Sequence, residues 1–330
     1  MLADKELWSF GLHQRPSSRS ILTSTHILAP DRETSLTHLD PATGDTRWTV
    51  PIRNPWGWLA TACDRVFYLD QRSRVQCHDL ATGGCQWTRQ LDGIGGWLVA
   101  GADLILSGGW RGYTPLVCLD ARDGAVRWTH QLGKIAEPIL GPWGIAVASL
   151  ESPTLQFLDP QTGSITSTQP LPAHGQDPDA TPLLRAHGDQ LYLASSDGEY
   201  CRIGPQHTTR LFHHPAGIHT IAPMIFDDTI LFMDRAATLQ AYALDGTPRW
   251  SVPWRLQRRD LLPSARSSHG HLAVADGNGH VSVFDADGNK LWSKHLTKRI
   301  ETPLAWYDDT TLLTGTANAI VAIRLQRRHP

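Results

Sequence analysis

Three features of this sequence predict an all-β chain folded as an eight-bladed β-propeller of four-stranded antiparallel blades. A tryptophan recurs about every 40 residues, at Trp8, Trp48, Trp87, Trp128, Trp250 and Trp292. Each sits in one frame: Leu39-Asp40-Pro41-Ala42-Thr43-Gly44-Asp45-Thr46-Arg47-Trp48 returns as Leu119-Asp120-Ala121-Arg122-Asp123-Gly124-Ala125-Val126-Arg127-Trp128. Between the markers lie short alternating apolar stretches bounded by turn residues, the signature of hairpin-linked strands. Such sheets repeated around an axis make a propeller.

The elements follow in order. Glu6–Leu12 reads as the last strand of a unit that has no earlier strands. The second unit shows all four strands: Trp56–Ala62, Val66–Asp70, Val75–Leu80 and Gln86–Leu91. In the third, Leu116–Asp120 turns at Gly124 into Val126–Leu132. In the fourth, Leu155–Asp159 turns at Gly163 into Ile165–Leu171, with Ser167 in the tryptophan place. The fifth is worn: Tyr200–Gly204 leads to Phe212 as the stand-in. The sixth and seventh turn at Asp245-Gly246 before Trp250 and at Gly288 before Trp292. Glycine supplies the positive φ that these tight turns need. Ile300–Tyr307, Thr311–Gly315 and Ile320–Leu325 give three final strands. The N-terminal strand is therefore expected to complete the last blade and remove an exposed sheet edge. The whole chain, 1–330, is expected to form one domain.

Composition narrows the function. A net charge of −2 over 330 residues argues against a nucleic-acid binder. No apolar run reaches membrane-span length. Met1-Leu2-Ala3-Asp4-Lys5-Glu6 lacks the basic and apolar regions of a signal peptide. The five cysteines, Cys63, Cys77, Cys85, Cys118 and Cys201, are odd in number and show no CxxC spacing. A cytoplasmic, monomeric protein with reduced thiols is expected.

The frame LDxxTGxxxW, together with Pro-led first strands (Glu137-Pro138-Ile139, Thr181-Pro182-Leu183, Ala222-Pro223-Met224, Thr302-Pro303-Leu304), resembles the PQQ-like, or quinoprotein-type, repeat family. The resemblance covers essentially the whole chain and departs at Ser167 and at residues 204–212. Quinoprotein dehydrogenases of that family hold their cofactor over a vicinal Cys-Cys ring beside calcium. No two cysteines are adjacent here, so no quinone cofactor is expected. The outer-membrane assembly lipoproteins of the family carry a lipidated N-terminal cysteine, whereas the first cysteine here is Cys63. Their presentation of loops to protein partners remains a useful analogy.

In a propeller, loops from the fourth strand to the next blade share a face with the second-to-third strand turns. Two candidate patches fall there. Trp56, Trp110, Arg111 and Tyr113, near Trp58 and Trp97, suit a protein contact, because loop aromatics beside arginine are typical hot spots. Arg53, His219, Arg255, Arg258, Arg259, Lys298 and Arg299 could line a basic funnel for anions or acidic segments. The histidine-rich stretch (His174, His187, His207, His213, His214, His219) matches no metal spacing, and adjacent His213 and His214 in a strand would face opposite ways. Asp276-Gly277-Asn278-Gly279 lacks the distal glutamate of a calcium loop and reads as a turn. No GxSxG, HExxH or phosphate loop occurs. The sequence points to a non-catalytic protein-interaction platform without metal or cofactor. An enzyme or small-molecule binder using the central funnel is the alternative.

Overall fold

The computed structural model describes the chain except residues 1, 13–19, 32–34, 53–58, 71, 94–95, 110–113, 153, 172–182, 219–222, 255–263, 267–269, 277, 297–299, 301 and 328–330. Among the described residues there are strands and turns and no helix. The strands form eight four-stranded antiparallel sheets, the architecture of the eight-bladed β-propeller.

β1 (Leu2–Gly11) opens the chain. Blade 1 comprises β2 (Ile21–Leu22), β3 (Ile27–Asp31), β4 (Ser35–Leu39) and β5 (Thr46–Pro51). Blade 2 comprises β6 (Leu59–Ala62), β7 (Arg65–Leu69), β8 (Arg74–Asp79) and β9 (Cys85–Gln90). Blade 3 comprises β10 (Trp97–Ala100), β11 (Leu104–Gly108), β12 (Leu116–Asp120) and β13 (Val126–His130). Blade 4 comprises β14 (Ile139–Gly141), β15 (Gly144–Ala148), β16 (Thr154–Leu158) and β17 (Ile165–Pro170). Blade 5 comprises β18 (Leu183–His187), β19 (Gln190–Ala194), β20 (Glu199–Ile203) and β21 (Thr208–His213). Blade 6 comprises β22 (Met224–Phe226), β23 (Thr229–Met233), β24 (Thr238–Ala243) and β25 (Pro248–Pro253). Blade 7 comprises β26 (Ser264–Arg266), β27 (Leu272–Ala275), β28 (His280–Phe284) and β29 (Lys290–His295). Blade 8 comprises β30 (Ala305–Trp306), β31 (Thr311–Thr316), β32 (Ala319–Arg327) and, as its fourth strand, β1.

The N-terminal strand therefore completes the last blade, as expected, but starts at Leu2 rather than Glu6. β32 extends to Arg327, and Leu2 pairs with Arg327, so four more residues find partners. By contacts the chain divides into two compact units: residues 1–59, 79–84 and 256–330, and residues 60–78 and 85–255.

In the second unit the second and third strands of each blade supply the core. Leu104, Leu106 and Cys118 of blade 3 pack on Ile145, Val147 and Leu158 of blade 4. Ala146, Leu155 and Phe157 of blade 4 pack on Leu191, Leu193 and Cys201 of blade 5. Apolar area removed from water stabilises such layers by roughly 25 cal/mol per Å².

One lock recurs between successive blades. The marker indole lies across the glycine of the next blade's hairpin turn and donates its N–H to the carbonyl that follows the turn aspartate. Trp87 Nε1 donates to Ala121 O (3.1 Å) and Trp128 Nε1 to Pro160 O (2.9 Å). In the first unit Trp48 Nε1 donates to Leu80 O (2.8 Å). Glycine is required beneath the ring. Gly83, Gly124 and Gly163 hold φ of +73, +71 and +71, and a Cβ there would stand 2.6–2.7 Å from indole carbons. The turn aspartates cap their own loops: Asp40 Oδ1 accepts from Ala42 N, and Asp159 Oδ1 from Gln161 N and Thr162 N.

Of the worn positions, Ser167 keeps the bond and Phe212 replaces it with stacking. The Ser167 hydroxyl donates to Pro205 O, where an indole N–H would otherwise reach. Gln169 adds a second tie, donating from Nε2 to Gly204 O (2.7 Å) and accepting from Thr208 Oγ1 (3.1 Å). Phe212 stacks on Tyr200 (5.0 Å) and Tyr242 (4.4 Å). Blade 8 has no covalent turn between its third and fourth strands, so Asp4 of β1 receives the lock: Trp292 Nε1 donates to Asp4 Oδ1 (3.2 Å) and Lys294 Nζ to Asp4 Oδ2 (2.7 Å).

Two outcomes follow. Removing residues 1–11 strips β32 of its partner and Trp292 and Lys294 of Asp4, so the melting temperature should fall sharply; an unchanged melt would refute this role for β1. The second concerns acid. Arg122 foremost, with Arg127, donates to Asp120 and holds its carboxyl well below the usual carboxylate range. A depressed folded-state pKa gives stability that is complete above about pH 4 and is lost as pH falls further. Asp120→Asn should lower the melting temperature at pH 7 and flatten its fall between about pH 4 and 2.

Candidate functional site

Every residue singled out from the sequence as a contact or funnel candidate lies outside the described residues: Arg53, Trp56, Trp110, Arg111, Tyr113, His219, Arg255, Arg258, Arg259, Lys298 and Arg299. The described flanks of these segments show what they are built upon. In six blades the exit of the fourth strand is hydrogen-bonded to the second-to-third strand turn of its own blade. The bonds are Leu12 N to Asn318 O, Leu91 N to Ser73 O, Ile135 N to Gly109 O, His214 N to Gly198 O, Trp254 N to Ala237 O and Leu296 N to Gly279 O. The same exits reach forward to the next blade's turn through three isolated bridges: Ile135–Ser149, Ile218–Asp234 and Ile300–Thr316. Connection and turn thus share a face, and a backbone belt fixes both.

Polar side chains brace that belt from below. Asp70, buried in blade 2, accepts from Arg72 N and Arg74 N and pairs with the Arg74 guanidinium at 2.9 Å. Ser73, in the left-handed region at φ +60°, donates its hydroxyl to Gly93 O. Asp276 accepts from Asn278 N and His280 N, which confirms that Asp276–Gly279 is a capped turn. Trp97 is a half-buried first-strand residue whose Nε1 donates to Ile135 O (3.1 Å).

A buried polar centre joins blades 5 and 6. Asp234 Oδ1 accepts from Thr238 N (2.9 Å) and Oδ2 from Gln240 Nε2 (2.8 Å). His214 lies between Asp234 and Tyr242, with Nε2 3.2 Å from Asp234 Oδ2 and Nδ1 3.2 Å from the Tyr242 hydroxyl. An Nε2–H donating to the carboxylate leaves Nδ1 to accept from the phenol. Burial first, and then the Asp234 charge, raise the Tyr242 pKa. Phe232 and Phe212 surround the group. With His214 and Asp234 both buried, the relay is a clamp between blades rather than an open reaction centre. His213 is exposed and His214 buried, the opposite facing that strand alternation demands. No group of three or more metal-ligating side chains occurs among the described residues. The centre was not legible in sequence, since its members are 20 and 28 positions apart and meet only through blade packing.

The family model for outer membrane protein assembly factor BamB matches residues 5–130, 71–235 and 235–327. It is the branch that the sequence reading set aside for want of a lipidated cysteine. No curated protein matches the chain. Among solved structures, BamB from Moraxella catarrhalis superposes with a TM-score of 0.74 at 15% identity, covering 98% of this chain and 100% of that one. The computationally designed Ika8 protein gives 0.76 at 14% identity, covering 97% and 99%. A europium-containing methanol dehydrogenase gives 0.68 at 10% identity, covering 97% and 93%.

Asp234→Ala should strand the Thr238 N–H, the Gln240 amide and the buried His214 ring together. A loss of about 2–3 kcal/mol is expected by urea unfolding, with Asp234→Asn recovering part of it through the retained Oδ1 acceptor.

Proposed function

The chain belongs to the PQQ-like propeller family of outer membrane protein assembly factor BamB, and from that premise we propose that it is a non-catalytic platform that binds a protein partner. The observation that carries the reading is the belt on one face of the blades. Fourth-strand exits and second-to-third strand turns are cross-bonded there by backbone. Segments leaving such a belt start from fixed points, so a partner meets loops whose ends are already ordered, and less entropy is lost on binding. Trp110, Arg111 and Tyr113, between β11 and β12, are the anchors of this reading, with Trp56 in the connection from blade 1 to blade 2. Arg53, Arg255, Arg258, Arg259, Lys298 and Arg299 add positive charge to connections of the same class and suit an acidic partner segment. The name of the family's assembly factor describes work on other proteins, which supports the same mode here.

A reducing, cytoplasmic setting belongs to this proposal. All five cysteines are free, and Cys63 and Cys85 are exposed, a state that an oxidising compartment does not favour.

Affinity capture from the native host with the wild type and a Trp110→Ala/Tyr113→Ala variant tests the reading. A stoichiometric protein partner recovered by the wild type and depleted at least tenfold by the variant is expected. Recovery of no protein, with a small molecule retained in native mass spectra instead, would transfer the function to ligand binding.

A further inference from the structure

Blade 8 differs from the other blades at the end where their third strands turn into their fourth. Its third and fourth strands, β32 and β1, run on there as a ribbon, with Leu2–Lys5 pairing against Arg324–Arg327. Strand alternation sorts the charges of β1 onto opposite faces. Asp4 and Glu6 stand opposite Leu325 and Ile323, on the face that packs on blade 7. There Asp4 is taken by Trp292 and Lys294. Lys5 stands directly opposite Arg324, on the face that carries Trp8, Ala322 and Leu313 toward blade 1.

Two cations thus oppose each other on a face that receives neither acid of β1. Like charges directly opposite across a ladder are destabilising. Arginines of β5, β13, β21 and β25 meet carboxylates: Arg47 meets Asp40, Arg127 meets Asp103 and Asp120, Arg210 meets Glu199 and Arg249 meets Asp228. Among the described residues neither Lys5 nor Arg324 has such a partner. Asp308 follows the same rule: it adjoins the turn into Thr311, the residue opposite Arg324, but its oxygens are held by Thr310 and Thr311. The Arg324 Nε–H is buried without an acceptor. So is the Trp8 Nε1–H on the same face, although the Trp8 ring lies across Gly44 as the other markers lie across their glycines. Trp48, Trp87 and Trp128 each give that proton to a carbonyl. Both unmet groups are donors, and buried donors call for an acceptor.

We propose that Lys5 and Arg324 bind a phosphate group, as the dianion of free phosphate or of a phosphate monoester. Directly opposite residues hold their Cβ atoms about 4.5–5.5 Å apart, within the reach of both side chains, so both heads can close on one ion. A guanidinium grips an oxyanion through two parallel N–H groups, and the Nε–H left unmet here is one of them. The ammonium adds a point charge to a further oxygen. A dianion cancels both positive charges at once, whereas a chloride or a single carboxylate cancels one. The site rests on blade 8 alone and stands or falls apart from the partner-binding reading.

The test is a phosphorus-31 NMR titration of the full chain with inorganic phosphate at about pH 8, above the second phosphate pKa, with chloride holding the ionic strength constant. One saturable site per chain is expected in the wild type, weakened at least tenfold by Arg324→Gln and by Lys5→Gln, each with the native β-sheet spectrum. Lys5 is exposed, so its variant tests the site without disturbing the core. Without phosphate, Lys5→Gln should raise the melting temperature, because it removes a like charge; a fall would show the lysine to be a structural contact and overturn the proposal. Absence of saturable binding by the wild type would overturn it too. So would unchanged binding by both variants, which would place the phosphate on arginines of the connections. Phosphoserine titrated in parallel distinguishes the source: tighter binding than inorganic phosphate assigns a monoester, and weaker binding assigns the free ion.

Discussion

The contact on which the molecule depends is an indole laid over a glycine. A flat ring fills the wedge between two twisted sheets only if the opposing turn comes within van der Waals reach, and a Cβ at Gly83, Gly124 or Gly163 would prevent that. The same turn must present a carbonyl to the indole N–H. It does so because the preceding aspartate folds the loop back with its own carboxylate and leaves the next carbonyl outward. At Trp48, Trp87 and Trp128, tryptophan, aspartate and glycine are thus three parts of one lock. Burying so large a side chain is worth several kcal/mol, as judged by the about 3–5 kcal/mol lost on truncating buried aromatics.

This explains why the fold was legible. Each member of the lock is chemically forced, so it survives in the sequence at a fixed offset and the blades can be counted from it. The stand-ins were also legible by position: Ser167 and Phe212 fall where the spacing requires a marker, and both contact the next blade's turn. How they make up the missing indole was not. Gln169 shows no sequence signal, because its partners Gly204 and Thr208 are set by the docking of blade 5 on blade 4. The pairing of Asp4 with Trp292 spans nearly the whole chain and follows only once β1 is placed in blade 8.

The candidate site was less legible, for a related reason. Composition drew attention to loop aromatics and arginines, which are conspicuous by type. The described residues instead reveal backbone bonds between fourth-strand exits and turns, and backbone bonds leave almost no trace in side-chain identity. His214 was noticed as one of a histidine cluster, while its real partners, Asp234 and Tyr242, lie in another blade. Lys5 and Arg324 went unremarked because they lie far apart in the sequence, and only the register of β1 against β32 makes them direct neighbours. Strand alternation gives the face of a residue, but sheet register gives its neighbour, and neighbours decide chemistry.

The comparisons sharpen where function must reside. An assembly factor, a designed protein and a methanol dehydrogenase share this architecture with this chain at 10–15% identity. A scaffold that accepts such different occupants imposes no chemistry of its own. Its contribution is mechanical: the locks hold the blades, and the belt holds the ends of the connections. What the connections carry is then free to change without disturbing the packing, since Trp–Gly–Asp contacts sit at the third-to-fourth strand turns and the belt forms from the second-to-third strand turns and the fourth-strand exits. Where a blade carries both, as blades 2 and 3 do, the two constraints act at opposite ends of it. That separation lets a chain with an intact lock and worn repeats such as blade 5 keep its fold while its connections diverge.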